Sequence, residues 1–270
     1  MHAPGRLRAR RPWSPLVGAA LAVAVVCALG MWRPWIVPSA PVAVEAESAA
    51  VSSAPPALAL PDQPRVLVFG DSWVYGSAAT VPSLGFAYLL ADHLGGETIV
   101  DGVRGSGYLK PGLDGGSYGE RVAALDPAVD PDLIIVEGSI NDRRLPAKGY
   151  GDAVNAVWDS LTSLYPDAAI VILGPAPQVL PVEPATARID DDLAALAAER
   201  GWWYVSPLDE NWITPENYLQ IIDTGEIGRD HPSTAGHAYL AERVAAAIAA
   251  MSEATDVVAD APLDEDIVAP

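Results

Sequence analysis

The fold is decided by the stretch RVLVFGDS, residues 65–72, in which an apolar run ends in Gly-Asp-Ser. The run predicts a strand, and Gly70 allows a sharp turn that leaves the hydroxyl of Ser72 at the strand's carboxyl end. Open α/β sheets place their reaction sites at that edge. Gly-Asp-Ser alone is a weak signal, because Asp and Ser are also common in turns and helix caps. A nucleophilic serine needs a base, an oxyanion hole and a supporting fold from the rest of the chain.

Short apolar runs alternate with helical patterns along the chain. The predicted strands are 65–70, 97–103, 132–137, 168–173 and 202–206, and the predicted helices are 84–94, 150–164, 185–200 and 234–251. Several of the runs are apolar on both faces, which is typical of strands covered by helices on both sides. This alternation predicts an α/β fold, a three-layer α/β/α sandwich around a central parallel five-stranded sheet, in one domain over residues 65–252.

The N-terminal segment 1–37 has the sequence pattern of an export signal or membrane anchor. Four arginines precede an uncharged stretch, 16–32, and this arrangement favours a cytoplasmic N-terminus with the remainder exported. The length fits either a single membrane span with an extracytoplasmic domain or a cleaved signal that releases a secreted protein. Residues 38–64, rich in Pro and Ala, predict an extended linker, and the acidic segment 253–270 predicts a disordered tail.

The charge and cysteine content exclude several classes of function. The chain of 270 residues has a net charge of −19, and residues 1–33 hold five arginines and no acid, so the rest of the chain is more acidic still. We therefore expect no nucleic-acid partner and membrane contact through the N-terminal segment only. Cys27 is the single cysteine, which leaves the exported part without a disulfide. No His/Cys cluster has metal-ligand spacing and no phosphate-binding Gly-rich loop is present, so we expect neither a metal nor a cofactor.

Two histidines lie close to the last predicted helix. His231 precedes a proline, so we expect it in an extended loop, where it is either a loop residue or a base for Ser72. His237 falls inside the helix, where we expect it to pack or to face solvent.

Two further strands end in residues that can donate hydrogen bonds to an oxyanion. Asn141 follows the third strand, and its amide is either such a donor or part of an Asn-Asp turn. Gly105 follows the second strand, and it is either a backbone donor or a flexible turn residue.

In this order the residues resemble the SGNH (GDSL-type) hydrolases. The tripeptide 70–72 resembles the first sequence block of that family, Gly105 the second, Gly138-x-x-Asn141-Asp142 the third, and His231-Pro232 with 235–237 the fourth. The resemblance spans nearly all of residues 65–250 and implies a flavodoxin-like fold. It also implies that Ser72 attacks an acyl carbonyl and that His231 takes its proton. The oxyanion hole would consist of the backbone N–H groups of Ser72 and Gly105 and the side chain of Asn141.

One position departs from the family pattern. The supporting aspartate usually stands three residues before the histidine, and here that position is Gly228. We expect Asp230 to take the role. The alternatives are a backbone carbonyl and another acid of the loop, Asp223 or Glu226.

The resulting hypothesis is an exported, monomeric serine esterase that hydrolyses an acyl ester, acetyl or short-chain, of a small molecule, glycan or lipid through an acyl-enzyme intermediate. Two alternatives remain open. One is an acyltransferase or deacetylase that acts on cell-envelope glycan, and the other is a catalytically silent tethered binding domain.

Overall fold

A computed structural model describes residues 55–253, and these form a central parallel sheet of five strands with helices on both sides. The strands of the sheet are β1 (Arg65–Gly70), β2 (Glu97–Gly102), β3 (Leu133–Glu137), β4 (Ala169–Leu173) and β5 (Trp203–Val205). The helices are α1 (Ser72–Tyr75), α2 (Phe86–Leu94), α3 (Tyr118–Val122), α4 (Tyr150–Leu164), α5 (Pro184–Glu199), α6 (Tyr218–Ile221) and α7 (Thr234–Glu253). The predicted fold class is confirmed.

The sheet has the order β2-β1-β3-β4-β5, and every neighbouring pair is parallel. Alternate residues of β1 face two separate cores: Val66 and Val68 pack with α2 and α7, whereas Leu67 and Phe69 pack with α3, α4 and α5. Both faces of the strand are therefore buried, as its continuous apolar sequence requires. The carboxyl ends of β1, β2 and β3 meet at one edge of the sheet.

The turn after β1 requires glycine because a side chain has no space there. A Cβ atom on Gly70 would come within 2.6 Å of Val74 Cγ2 and 2.7 Å of Glu137 Oε2. Asp71 then begins α1, and its Oδ1 accepts a hydrogen bond from the backbone N–H of Trp73 at 2.9 Å. This cap satisfies one free amide of the first helical turn and holds Ser72 at the edge of the sheet.

A small hairpin that the sequence analysis did not predict holds His231. Strands β6 (Ile222–Asp223) and β7 (His231–Pro232) pair antiparallel, with Asp223 opposite His231. The loop between them ends in two left-handed residues, Arg229 at φ 50° and Asp230 at φ 62°. His231 therefore lies in a two-stranded sheet and not in a free loop.

The residues directly before the predicted domain make contacts with it. Leu58 is 5% exposed and its N–H donates to the carbonyl of Met251 at 3.1 Å, while Trp203 Nε1 donates to the carbonyl of Pro56 at 3.0 Å. The end of the predicted linker, from Pro56 to Leu60, therefore packs against the domain because its leucines are apolar.

Other predicted segments lie outside the described residues: the N-terminal segment 1–37, most of the linker and the tail after 253. Within residues 55–253, no helix combines the length and the apolar character that crossing a membrane requires.

Candidate active site

The structure brings Ser72 and His231 together at the carboxyl edge of the sheet. The Oγ of Ser72 and the Nε2 of His231 are 2.9 Å apart, although 159 residues separate them in the chain. Ser72 is 5% exposed and His231 is half-buried, so the pair is shielded but reachable. This is the distance at which an imidazole can take the proton of a serine hydroxyl.

Two backbone carbonyls fix the tautomer of His231. Its Nδ1 lies 2.9 Å from the oxygen of Gly228 and 3.0 Å from the oxygen of Arg229. Carbonyl oxygens only accept hydrogen bonds, so Nδ1 carries the proton and Nε2 has a free lone pair directed at Ser72. The imidazole is thus in the form that a general base needs.

Asp230 is not the partner of His231 in this structure, and the expectation that it supports the histidine is corrected. The Nδ1 contacts are the two carbonyls, and among residues 55–253 no hydrogen bond or ion pair joins the Asp230 carboxylate to the ring. The alternative of a backbone carbonyl matches the observed geometry. The Oδ1 of Asp223 accepts the N–H of Gly225 at 2.8 Å, so this carboxylate holds the loop.

Position 228, where the family places its aspartate, has no space for a side chain. A Cβ atom on Gly228 would lie 2.1 Å from Asp223 Cγ and 2.5 Å from the Asp223 carbonyl oxygen. Glycine is required there because the loop passes directly over Asp223. The close approach also brings the Gly228 carbonyl to the imidazole.

The two backbone donors predicted for the oxyanion hole are placed at strand ends. Ser72 is the first residue of α1, so its N–H has no acceptor within the helix. Gly105 has φ 73°, a conformation that favours glycine, and among residues 55–253 no protein acceptor is bonded to its N–H. Both amides are therefore free to bind a developing negative charge.

Asn141 lies at the same edge, but its amide is engaged. Its Nδ2 donates to Asp71 Oδ2 at 2.7 Å and to the carbonyl of Ser106 at 2.9 Å. Both amide hydrogens are used, so Asn141 links the nucleophile turn to the loop after β2. The neighbouring Asp142 anchors that loop by accepting the N–H groups of Tyr108 at 2.7 Å and Lys110 at 3.0 Å.

Sequence reasoning missed a buried charged cluster behind Ser72. Asp71 and Glu137 are 0% and 4% exposed, and the N–H of Asp71 donates to Glu137 Oε2 at 3.2 Å. Arg121 is also buried, and its guanidinium donates to the Gly70 carbonyl and to Ser106 Oγ, both at 2.8 Å, and pairs with Asp101 at 2.7 Å. The available signal was the acid that ends the apolar run of β3 directly before Gly138.

Burial changes the ionisation of this carboxyl pair. Burial raises the pKa of Asp71, and the hydrogen bond from the Trp73 N–H acts against that rise. It raises the pKa of Glu137 well above the usual value, and the negative charge of Asp71 adds to that rise.

His237 packs inside the domain, as expected for a helical histidine. Its Nδ1 accepts the N–H of Phe86 at 3.2 Å and its Nε2 donates to the carbonyl of Ser77 at 3.0 Å. Burial disfavours the charged ring and lowers the pKa of His237 to about 4, although the hydrogen bond to Ser77 acts in the opposite direction. Among residues 55–253, no group of three or more His, Cys, Asp or Glu side chains could hold a metal ion.

The comparisons with known proteins agree with this geometry. The family model of the GDSL-like lipases and acylhydrolases matches residues 68–239. A GDSL lipase of Mycobacterium tuberculosis, Rv0518, is 30% identical over an alignment of 147 residues that covers 52% of this chain and 59% of that protein. The chain thus spans less than two thirds of the length of this curated relative.

Solved structures with the same fold include two esterases. An aryl esterase of M. smegmatis superposes with a TM-score of 0.54 at 16% identity and covers 70% of this chain and 99% of its own. Est24, a carbohydrate acetylesterase of Sinorhizobium meliloti, also superposes with a TM-score of 0.54 at 16% identity, over 70% of this chain and 100% of its own. At this level of identity the likeness concerns the fold alone.

Proposed function

Since the chain belongs to the GDSL-like lipase/acylhydrolase family, we propose that it is a serine esterase that works through an acyl-enzyme intermediate. The observation that carries the proposal is the 2.9 Å contact between Ser72 Oγ and His231 Nε2, with the ring's other nitrogen held by carbonyl oxygens. A catalytically silent binding domain does not require an imidazole lone pair directed at a serine hydroxyl, whereas a serine esterase does.

In the acylation step, Ser72 Oγ attacks the carbonyl carbon of the ester while Nε2 of His231 takes the hydroxyl proton. The tetrahedral intermediate collapses, the bond to the alcohol oxygen breaks, and His231 returns its proton to that oxygen. The products of the step are the free alcohol and an acyl group on Ser72. A water molecule then attacks the acyl group, again with His231 as the base, and releases the acid.

The oxyanion of each tetrahedral intermediate is bound by the N–H groups of Ser72 and Gly105 and by Asn141. The Asn141 amide is already held at the strand edge by Asp71 and the Ser106 carbonyl. A negatively charged oxygen accepts a hydrogen bond more strongly than the neutral Ser106 carbonyl, so it can take over that amide hydrogen. One such donor is worth on the order of 10²–10³ in rate.

The substrate that we propose is an acyl ester with an acetyl or other short acyl group, on a small molecule, glycan or lipid. The activities in the names of similar proteins, a lipase, an aryl esterase and a carbohydrate acetylesterase, are all carboxylic ester hydrolyses. We place this activity outside the cytoplasm, because the N-terminal sequence has the pattern of an export signal or anchor.

The decisive experiment compares Ser72→Ala with the wild-type chain on p-nitrophenyl acetate and with a fluorophosphonate probe. Turnover and labelling are expected in the wild type and absent in the variant, with unchanged far-UV circular dichroism. Ser160→Ala, on the exposed side of α4, is the matched control and should keep both activities. Normal turnover by Ser72→Ala would overturn the proposal. An acetylated glycan, tested with and without a second acceptor sugar, separates hydrolysis from acyl transfer.

A further inference from the structure

A second buried carboxyl group lies directly beneath the nucleophile turn. Glu137 ends β3, the strand next to β1, and its carboxylate occupies the space that a side chain at position 70 would need. Its Oε2 accepts the N–H of Asp71 at 3.2 Å. Glu137 also lines a small cavity whose other walls are mostly apolar, among them the side chains of Trp73, Phe86 and Trp212. Water therefore has little part in solvating this acid.

No basic side chain neutralises the pair directly. Among the described residues, neither Asp71 nor Glu137 belongs to an ion pair. The nearest guanidinium, Arg121, directs its hydrogen bonds to the Gly70 carbonyl, Ser106 and Asp101. Two adjacent buried carboxylates would repel each other strongly at low dielectric, so the pair retains one proton.

The hydrogen bonds decide which carboxyl group is ionised. Asp71 accepts two, from the Trp73 N–H at 2.9 Å and from Asn141 Nδ2 at 2.7 Å. Glu137 accepts one, from the Asp71 N–H, and it lies against the apolar cavity. The proton therefore lies on Glu137 and the negative charge on Asp71.

The negative charge of Asp71 bears on catalysis because, in the described part of the chain, no carboxylate is bonded to the imidazole of His231. An imidazolium forms when His231 takes the serine proton, and the Gly228 and Arg229 carbonyls that hold Nδ1 are neutral. Asp71 directly precedes Ser72, whose Oγ lies 2.9 Å from the Nε2 of His231. The buried charge of Asp71 is thus one residue away from the nucleophile at which the cation forms.

Building on the proposed function, we propose that Glu137 is a positioning residue for ester hydrolysis. It holds the proton of the Asp71–Glu137 pair, so that the single negative charge lies on Asp71, where it orients Asn141 and stabilises the His231 imidazolium.

Other titratable or charged groups that face the pair or His231 come from four elements. They are Arg121 and Tyr118 of α3, Tyr108 of the loop after β2, His237 of α7 and the adjacent Asp230 of the hairpin loop. None of these groups is substituted in the variants described below. Differences in labelling between the variants at Asp71 and Glu137 therefore report on the Asp71–Glu137 pair.

The first test measures the rate of fluorophosphonate labelling of the full chain against pH. Asp71→Asn keeps the cap of α1 but removes the charge. We expect labelling to slow by about 10- to 100-fold and its acid limb to move to lower pH, because the negative charge that favours a cation at the site is gone. Slower labelling with an unmoved acid limb would overturn the electrostatic role. Asp190→Asn, which removes another buried carboxyl group, should leave the acid limb in place.

The second test concerns the proton on Glu137. Glu137→Leu is expected to slow labelling by about 10-fold or more, because the backbone N–H of Asp71 loses its acceptor, the carboxyl group of Glu137. Glu137→Gln cannot ionise but donates and accepts hydrogen bonds, so it should recover most of that loss. An infrared band of a protonated carboxyl group should disappear in Glu137→Gln and persist in Asp190→Asn. If Glu137→Gln is as slow as Glu137→Leu, or if the band is unchanged, the proton assignment is wrong.

Failure of this inference differs from failure of the proposed function. If wild-type Ser72 is not labelled at any pH, the chain is not a serine esterase. If it is labelled but Asp71→Asn and the wild type share one pH profile, only the role of the carboxyl pair is refuted.

Discussion

The two histidines near α7 are six positions apart and have opposite surroundings. His231 donates from Nδ1 to neutral carbonyls and leaves Nε2 to Ser72, whereas His237 has one nitrogen bonded to Phe86 and the other to Ser77. Both rings make contacts of ordinary length with the backbone. The difference is that only His231 has a lone pair directed at a side-chain hydroxyl, and a base is defined by that free lone pair and not by burial or by proximity to the active site.

The largest expected effect separates the two histidines by activity. His231→Gln should lower kcat/KM on p-nitrophenyl acetate by roughly 10³- to 10⁴-fold, since the serine loses its base. His237→Gln should keep kcat/KM within about 3-fold, because its contacts only hold the helix and the loop after α1. An equal loss of activity in both variants would contradict the assignment of His231, and not His237, as the base.

The next largest effect is the contribution of His237 to the pH dependence of the free energy of unfolding. The folded-state pKa of His237 is lowered to about 4, so the unfolded chain binds one more proton between pH 6.5 and pH 4. Its contribution to the free energy of unfolding is therefore full above pH 6.5 and decreases as the pH falls toward 4, by about 3 kcal/mol.

Chemical denaturation of the wild type and His237→Gln at several pH values measures this contribution as a difference. The difference should change across that window. His93→Gln, at an exposed position of α2, is the control and should follow the wild type. A constant difference between His237→Gln and the wild type would mean that the folded and unfolded chains bind this proton equally, so that folding does not lower the pKa of His237.

A smaller effect is expected from the loop that orients His231. Gly228→Ala forces a Cβ atom to within 2.1 Å of Asp223 Cγ, so the carbonyl at Nδ1 must move. We expect kcat to fall by about 10- to 100-fold with KM little changed, because displacements of this size disturb a near-attack geometry. Gly151→Ala, where nothing lies within 4 Å of the added carbon, should leave kcat unaffected. A wild-type kcat for Gly228→Ala would show that the carbonyl does not position the ring.

The smallest effect is expected from Asp230→Asn. Asparagine accepts the left-handed conformation of position 230, and the carboxylate is not bonded to Nδ1, so kcat/KM should stay within about 3-fold of the wild type. A loss on the order of 10⁴, the effect typical of a triad acid, would restore Asp230 as the partner of His231.

The fold and the central contact could be predicted because their signals are local. Apolar runs of strand length identified the five strands, and parallel strands bring their carboxyl ends to one edge of the sheet. Ser72, Gly105 and Asn141 each lie within four residues of the end of such a strand, so their proximity follows from chain order. The GDSL-like family resemblance is confirmed by the family match over residues 68–239.

The partner of His231 could not be predicted because it depends on backbone angles and not on residue type. The left-handed angles at Arg229 and Asp230, together with the pairing of β6 and β7, direct carbonyl oxygens and not a carboxylate at the imidazole. Glu137 was missed for a related reason. An acid at a strand end is commonly solvated, and only the packing of Gly70 and the cavity around Trp73 show that this one is buried.

The contact between Gly228 and Asp223 limits how this enzyme could acquire a catalytic aspartate. A single codon change at position 228 introduces a side chain into occupied space, and shortening Asp223 does not clear it, because the backbone oxygen of residue 223 lies 2.5 Å from the new Cβ. Point-mutation libraries therefore cannot reach an aspartate at 228 without a backbone shift. An insertion or deletion within residues 224–230 would change the path of the loop itself. Directed evolution toward a full triad should vary loop length before it varies residue type.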